Sequence, residues 1–166
     1  MQFHDASVFI EYYGKVRART KRVVDVIPED KMDWTPIAGK FTFADYIRHL
    51  AAIERFMYAE NVRGRPSRYR GCGKELADGR DAVIEFFDRC HQESLEIFAA
   101  LTPEELAGKC TTPAGAPITT WKWLRLLPEH EIHHRGQMYT YLGFLGVDVP
   151  PIYGLTSEQV ADASGA

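Results

Sequence analysis

Cysteine, long apolar runs and an excess of charge of either sign are all scarce in this 166-residue sequence, and each scarcity closes off a class of protein. The three cysteines, Cys72, Cys90 and Cys110, are odd in number and widely spaced, which excludes a disulfide framework and a C-x-x-C metal site; they read as reduced thiols. No stretch is apolar for long enough to cross a bilayer, so no membrane partner is expected. In the first sixteen residues charged or titratable side chains interrupt every apolar stretch, which gives no signal peptide and the expectation of a cytoplasmic protein. Lys and Arg number 20 against 23 for Asp and Glu, a net charge of -3, so nothing global favours nucleic acid. Convincing period-2 strands are missing as well.

What is present is ordinary globular composition, 45% hydrophobic, 12% aromatic and 26% charged. A chain of this length buries roughly 70% of its unfolded surface, enough to fold as one domain over 1–166 without disulfides or a structural metal. Any metal would then serve chemistry.

Apolar residues at Val8, Phe9, Tyr12, Tyr13, Val16, Val23, Val24 and Ile27 recur at steps of three and four and predict a helix over 5–27, stopped by Pro28. Thr42 with Asp45 resembles a capping box and opens a second helix over 42–62. A basic loop, 61–75, carries Arg63, Arg65, Arg68, Arg70 and Lys74 against Glu75. It reads as a solvated connection or as a steering patch for an anion, with Tyr69 as a stacking face. A third helix is expected over 78–100, then a Pro/Gly/Thr segment over 102–118. The last helix should begin near Thr119 or Thr120 and run to Gly143 or Gly146, kinked or restarted at Pro128. The remaining tail, about 147–166, reads as irregular. Four long helices argue for an all-α four-helix bundle.

Three of the six histidines fall within His130-Glu131-Ile132-His133-His134. Positions i and i+4 lie about 40° apart around a helix, so His130 and His134 can converge on one ion, while His133 turns away. His49 shares the apolar stripe of Tyr46 and Ile53 and is the best third ligand, since bundles build metal sites from facing helices. His91 is a weaker candidate on the stripe of the third helix; a hydrogen-bonded core histidine is the plainer reading for it. His133 can pair with Glu129 on the outer surface.

The pentapeptide also satisfies H-E-x-x-H, in which Glu131 would be the general base of a zinc peptidase. Its context does not match: Gln137 and Thr140 stand where a metzincin has glycine and a third histidine. Glu131 is moreover four residues before Arg135, the favourable order for a surface ion pair.

Trp34-Thr35-Pro36, the run from Thr42 to His49-Leu50, His130 through His134-Arg135-Gly136-Gln137, Leu145-Gly146, and Pro151-Ile152-Tyr153-Gly154 together resemble the DinB/YfiT-like family over nearly the whole chain. The resemblance implies an up-down-down-up four-helix bundle with a divalent metal, nickel or zinc, held by His49, His130 and His134. It implies a homodimer too, and its wider superfamily includes thiol-dependent S-transferases and a thiol-dependent isomerase.

Three neutral imidazoles leave the full dipositive charge on an ion and part of its coordination sphere open. Water there would supply hydroxide for a hydrolase; a low-molecular-weight thiol would supply thiolate to a small electrophilic substrate in a transferase. Glu131 is a candidate base in either scheme, and Gln137, one turn past His134, a candidate support for a ligating ring. A non-catalytic metal-binding or dimerisation bundle is the alternative class.

Overall fold

The apolar periodicity of the first segment becomes α1 (Ala6–Asp25) in the computed structural model, which describes residues 3–165. Asp5 caps it in extended backbone conformation, its carboxylate accepting the Ser7 N–H at 2.7 Å. Thr42 and Asp45 form the expected capping box, with reciprocal bonds of 3.1 and 2.9 Å, and open α2 (Phe43–Ile53). The single helix expected over 42–62 is one rod of three pieces: α2, a π-helical segment (Glu54–Tyr58) and α3 (Ala59–Asn61). The wider turn inserts extra backbone and shifts which residues face the core beyond Ile53. Next comes α4 (Arg80–Ala99), which buries Val83, Phe86, Phe87, Cys90, Ser94 and Phe98.

The Pro/Gly/Thr segment over 102–118 holds α5 (Pro103–Ala107) and, running one residue beyond it, a hairpin of β1 (Lys109–Thr111) and β2 (Pro117–Thr119), with Cys110 opposite Ile118. Three-residue strands are too short to print an alternation in the sequence. The last long helix is α6 (Thr120–Phe144), which continues through Pro128 and does not restart there. Leu124, Leu127, Pro128 and Glu131 are all buried, so tertiary packing on both sides of the proline holds the helix together. Gly146, at φ +67°, closes α6 with the paired bonds Val147 N–H to Leu142 O and Gly146 N–H to Gly143 O. The tail is not irregular throughout, since Thr156 and Gln159 cap a further helix, α7 (Ser157–Ala163). Lacking any buried residue, α7 leaves no apolar stripe to read.

Side-chain contacts fix the topology. Tyr13 meets Glu131 and Val16 meets Arg135, so α1 and α6 run parallel. Phe9 packs on Phe98 while Lys21 pairs with Asp88, so α1 and α4 are antiparallel. Tyr46 meets Tyr141 and Tyr58 stacks on Trp123, which sets α2 and its continuation antiparallel to α6. Arg48 reaches Ala77 and Arg55 reaches Glu93, so the second and third long helices run the same way. The order is up, down, down, up.

The core has two apolar clusters. One gathers Phe43, Ile47, Leu50, Phe87, Met138 and Leu142; the other gathers Phe9, Phe98, Leu106, Leu124 and Leu127. Each such side chain contributes about 1.5–3 kcal/mol on burial. Polar residues sit where the clusters meet: the Arg17 guanidinium stacks 3.9 Å from the Phe87 ring of one and reaches Tyr13 of the other. No helix among the described residues is long and apolar enough to cross a membrane.

Candidate metal centre

α2 carries His49 and the antiparallel α6 carries His130 and His134 one turn apart, and all three turn into the space between the helices. His130 Nε2 lies 3.1 Å from both His49 Nε2 and His134 Nε2, and one donor atom from each ring falls within 4.8 Å of the others. Nitrogens sharing an ion at about 2.0–2.1 Å stand about 3 Å apart, so the donor set fits a divalent ion.

The remaining ring nitrogens aim the donors. His134 Nδ1 donates to Gln137 Oε1 at 2.6 Å, which leaves the Nε2 lone pair facing the site. His49 Nδ1 lies 2.8 Å from the Tyr69 hydroxyl, which anchors that side of the ring and leaves Nε2 turned to the site. His130 Nδ1 is buried and has no partner among the described residues. Burial, reinforced by the neighbouring imidazoles, pushes His49 down to about 4 and His130 to about 3; burial lowers His134 as well. All three are therefore neutral ligands at physiological pH. Aromatic rings wall the site: Phe41 sits edge-on to His49 at 5.4 Å, and Tyr46 lies 5.4 Å from His134 with its hydroxyl 3.4 Å from that of Tyr141.

Glu131 is not brought to the three nitrogens. Fully buried, it faces α1, where its Oε2 accepts from the Tyr13 hydroxyl at 2.9 Å and forms an ion pair with Arg17 Nη2 at 2.9 Å. Arg17 also pairs with the buried Glu54, and His91 Nδ1 lies 2.8 Å from the other Glu54 oxygen. His91 thus belongs to this second network. The expected surface pair of Glu131 and Arg135 does not form, because α1 covers that face of α6 and Arg135 donates to the Val16 carbonyl at 3.2 Å. His133 is exposed, and Glu129 turns to Arg125 at 3.5 Å instead of pairing with it.

The basic loop is held down rather than free. Arg65 and Arg68 pair with the buried Glu60, and Lys74 with Asp33. Tyr69 gives its hydroxyl to His49 in place of a stacking face, a role that separation by twenty residues hid. Cys72, half-buried, has Tyr69 for a neighbour, so one cysteine does lie at the edge of the site. Arg17 and Glu54 did carry a signal: each is a charge at a helical step from buried apolar residues, Arg17 after Tyr13 and Glu54 after Ile47 and Leu50.

A family model described as the DinB superfamily matches residues 12–138. The Bacillus subtilis protein YjoA is 22% identical over 148 residues, covering 87% of this chain and 93% of that protein. Among solved structures, a DinB-like protein from Bacillus cereus superposes with a TM-score of 0.72 at 16% identity, over 86% of this chain and 94% of that one. YjoA itself gives 0.69 at 18% identity, over 87% and 96%. A DinB-family structure from Exiguobacterium sibiricum gives 0.66 at 22%, over 91% and 97%. At these identities the structures speak to the fold, and the family model, spanning most of the chain, speaks to descent: the protein belongs to the DinB superfamily.

Proposed function

We propose that the protein is a divalent-metal-dependent enzyme in which His49, His130 and His134 hold nickel or zinc, and that it transfers a low-molecular-weight thiol to a small electrophilic substrate. The supporting observation is the convergence of three neutral, oriented imidazole nitrogens within 4.8 Å. A bound dipositive ion supplies Lewis acidity that lowers the pKa of a thiol or water at its open position. The thiol gives its proton to solvent, its sulfur forms a bond to the electrophilic carbon, and the leaving group departs with the electron pair of the bond it breaks.

The choice of thiol over water rests on what surrounds the rings. Their hydrogen bonds go to Tyr69, Gln137 and one another, and no carboxylate contributes to their displaced titration. Water is the weaker acid and gains more from a base, and neither acid beside His130 is free to act as one: Glu131 is committed to Tyr13 and Arg17, and Glu129 turns to Arg125. A thiol, more acidic than water, ionises at the site more readily without a base. Gln137 and Tyr69 fix the rings, while Phe41 and Tyr46 keep the surroundings apolar.

Metal analysis of protein purified without a histidine tag tests the reading. We expect close to one ion per chain, lost in His49→Ala, His130→Ala and His134→Ala. A panel of low-molecular-weight thiols against electrophilic substrates, with peptides and esters as controls, then separates the activities. Hydrolysis that proceeds without thiol would overturn the transferase. Absence of stoichiometric metal would overturn the metalloenzyme and leave a binding or dimerisation bundle. Sedimentation equilibrium measures the homodimer that belongs to the same proposal.

A further inference from the structure

The face of α6 turned about 180° from the histidine ligands borders a second cavity. Ile132, Gly136 and Tyr139 form one wall, the chain between Pro151 and Glu158 forms the other, and the volume is about 600 Å³, within the range of small-molecule sites. The metal chemistry proposed above makes no use of it.

Arg135 lines this cavity while only 4% exposed. Its one hydrogen bond goes to the Val16 carbonyl, and among the described residues no carboxylate lies within ion-pair distance of it. Guanidinium groups buried to this degree are almost always paired. Two more arginines approach the same wall: Arg19 stacks 5.3 Å from the Tyr153 ring, and Arg22 donates to the Ile152 carbonyl at 2.8 Å. Neither has a carboxylate partner among the described residues. Three positive charges thus gather around a cavity with one acid on its rim, Glu158. Beside Thr156 and Ser157 the lining is mainly apolar, and its large side chains are open to solvent: Tyr139 is 39% exposed and Leu155 54%.

We propose that this cavity binds an organic monocarboxylate with an apolar body, the carboxylate on Arg135 and the body against Ile132, Tyr139 and Leu155. The planar fork of a guanidinium matches a carboxylate through two parallel hydrogen bonds. Glu158 on the rim disfavours a doubly charged phosphate monoester. The site is separate from the metal centre, so it stands whether or not the thiol transferase reading does.

Calorimetric titration of untagged protein with octanoate, octanamide and octyl phosphate tests the assignment. Octanoate is expected to bind saturably at one site, with octanamide weaker by about tenfold or more, since a charge-assisted pair is worth at least one such factor. Octyl phosphate should bind more weakly than octanoate. Binding of octanoate should persist in His49→Ala, which excludes a carboxylate held by a metal ion. Arg135→Gln should reduce octanoate to the level of the amide. Because Arg135 is buried, Gly136→Leu provides a second variant: a Cβ there meets open space, and the new side chain fills the cavity from an exposed helical position. Gly136→Leu should abolish binding without lowering the melting temperature. The proposal is overturned by equal binding of octanamide, tighter binding of octyl phosphate, octanoate affinity unchanged in Gly136→Leu, or no saturable binding. A wild-type dimer that dissociates in Gly136→Leu and takes up no octanoate would overturn it too, by assigning this face to a second copy.

Discussion

His130 holds the middle of the histidine trio, its Nε2 3.1 Å from each of the other two, and its own Nδ1 has no partner to support it. The aim of the site therefore depends on Tyr69 and Gln137 holding the outer rings. Tyr69→Phe and Gln137→Ala are each expected to weaken metal affinity by about 10–100-fold, as losses of such ring supports do, while exposed His133→Ala leaves it unchanged; competition with a chromogenic chelator measures both. The same burial sets a pH dependence. His49 is pushed down to about 4 and His130 to about 3 by desolvation first, whereas unfolded histidines titrate near 6.5. The unfolded chain then takes up protons first as pH falls, so the stability these neutral rings contribute is complete above about 6.5 and drains away from there toward 3. Urea midpoints of metal-free protein should fall across that window, less steeply in His130→Ala, and a flat profile in the wild type would refute the burial argument. The trio could be found from spacing because His130 and His134 share one helix face and His49 one apolar stripe. Tyr69 could not, because a loop residue has no period and its partner lies on another element.

On α6, two sets of residues interleave with opposite duties. His130 and His134 face α2, while Glu131 and Arg135 face α1, and the parallel packing of α1 on α6 fixes the rotation that separates them. Arg17 is the pin of that packing, reaching Glu131, Glu54 and Tyr13 from a position 3% exposed. Arg17→Met should cost about 3–5 kcal/mol of unfolding free energy, because Glu54 and Glu131 would stay behind as buried, uncompensated carboxylates. Glu131→Gln, which keeps an acceptor for Tyr13, should cost less, and denaturant unfolding ranks the two. A larger loss for Glu131→Gln would mean that Arg17 is not the pin. At the start of α2, Thr42→Ala should cost about 1 kcal/mol through the lost capping bond. The long helices were legible because each buries a stripe that repeats every three to four residues. The π segment, the hairpin and α7 were not: a change of helical phase, three-residue strands and an exposed helix without a buried side leave no such repeat. At Pro128 local propensity left a restart open, and packing on both sides of the proline carries the helix through instead.

Across the whole molecule, the metal centre joins elements that the chain keeps far apart. His49 and His130 are separated by 81 positions and meet only when α2 and α6 pack antiparallel, so an ion held by all three rings binds the folded chain and not the unfolded one. The two apolar clusters enclose the bundle without help from the trio, and the metal-free protein is expected to remain folded. Occupancy should nonetheless raise stability by mass action, about 4 kcal/mol when free metal stands at about a thousand times its dissociation constant. For a domain of this size each 1 kcal/mol moves the melting temperature by about 2–4 °C, so chelation should lower it by roughly 10 °C with the cooperative transition intact. His49→Ala and His134→Ala should melt at one temperature with or without chelator, because neither can hold the ion. A wild-type transition that chelator leaves unmoved, in protein shown by elemental analysis to carry the ion beforehand, would place that ion somewhere other than between α2 and α6.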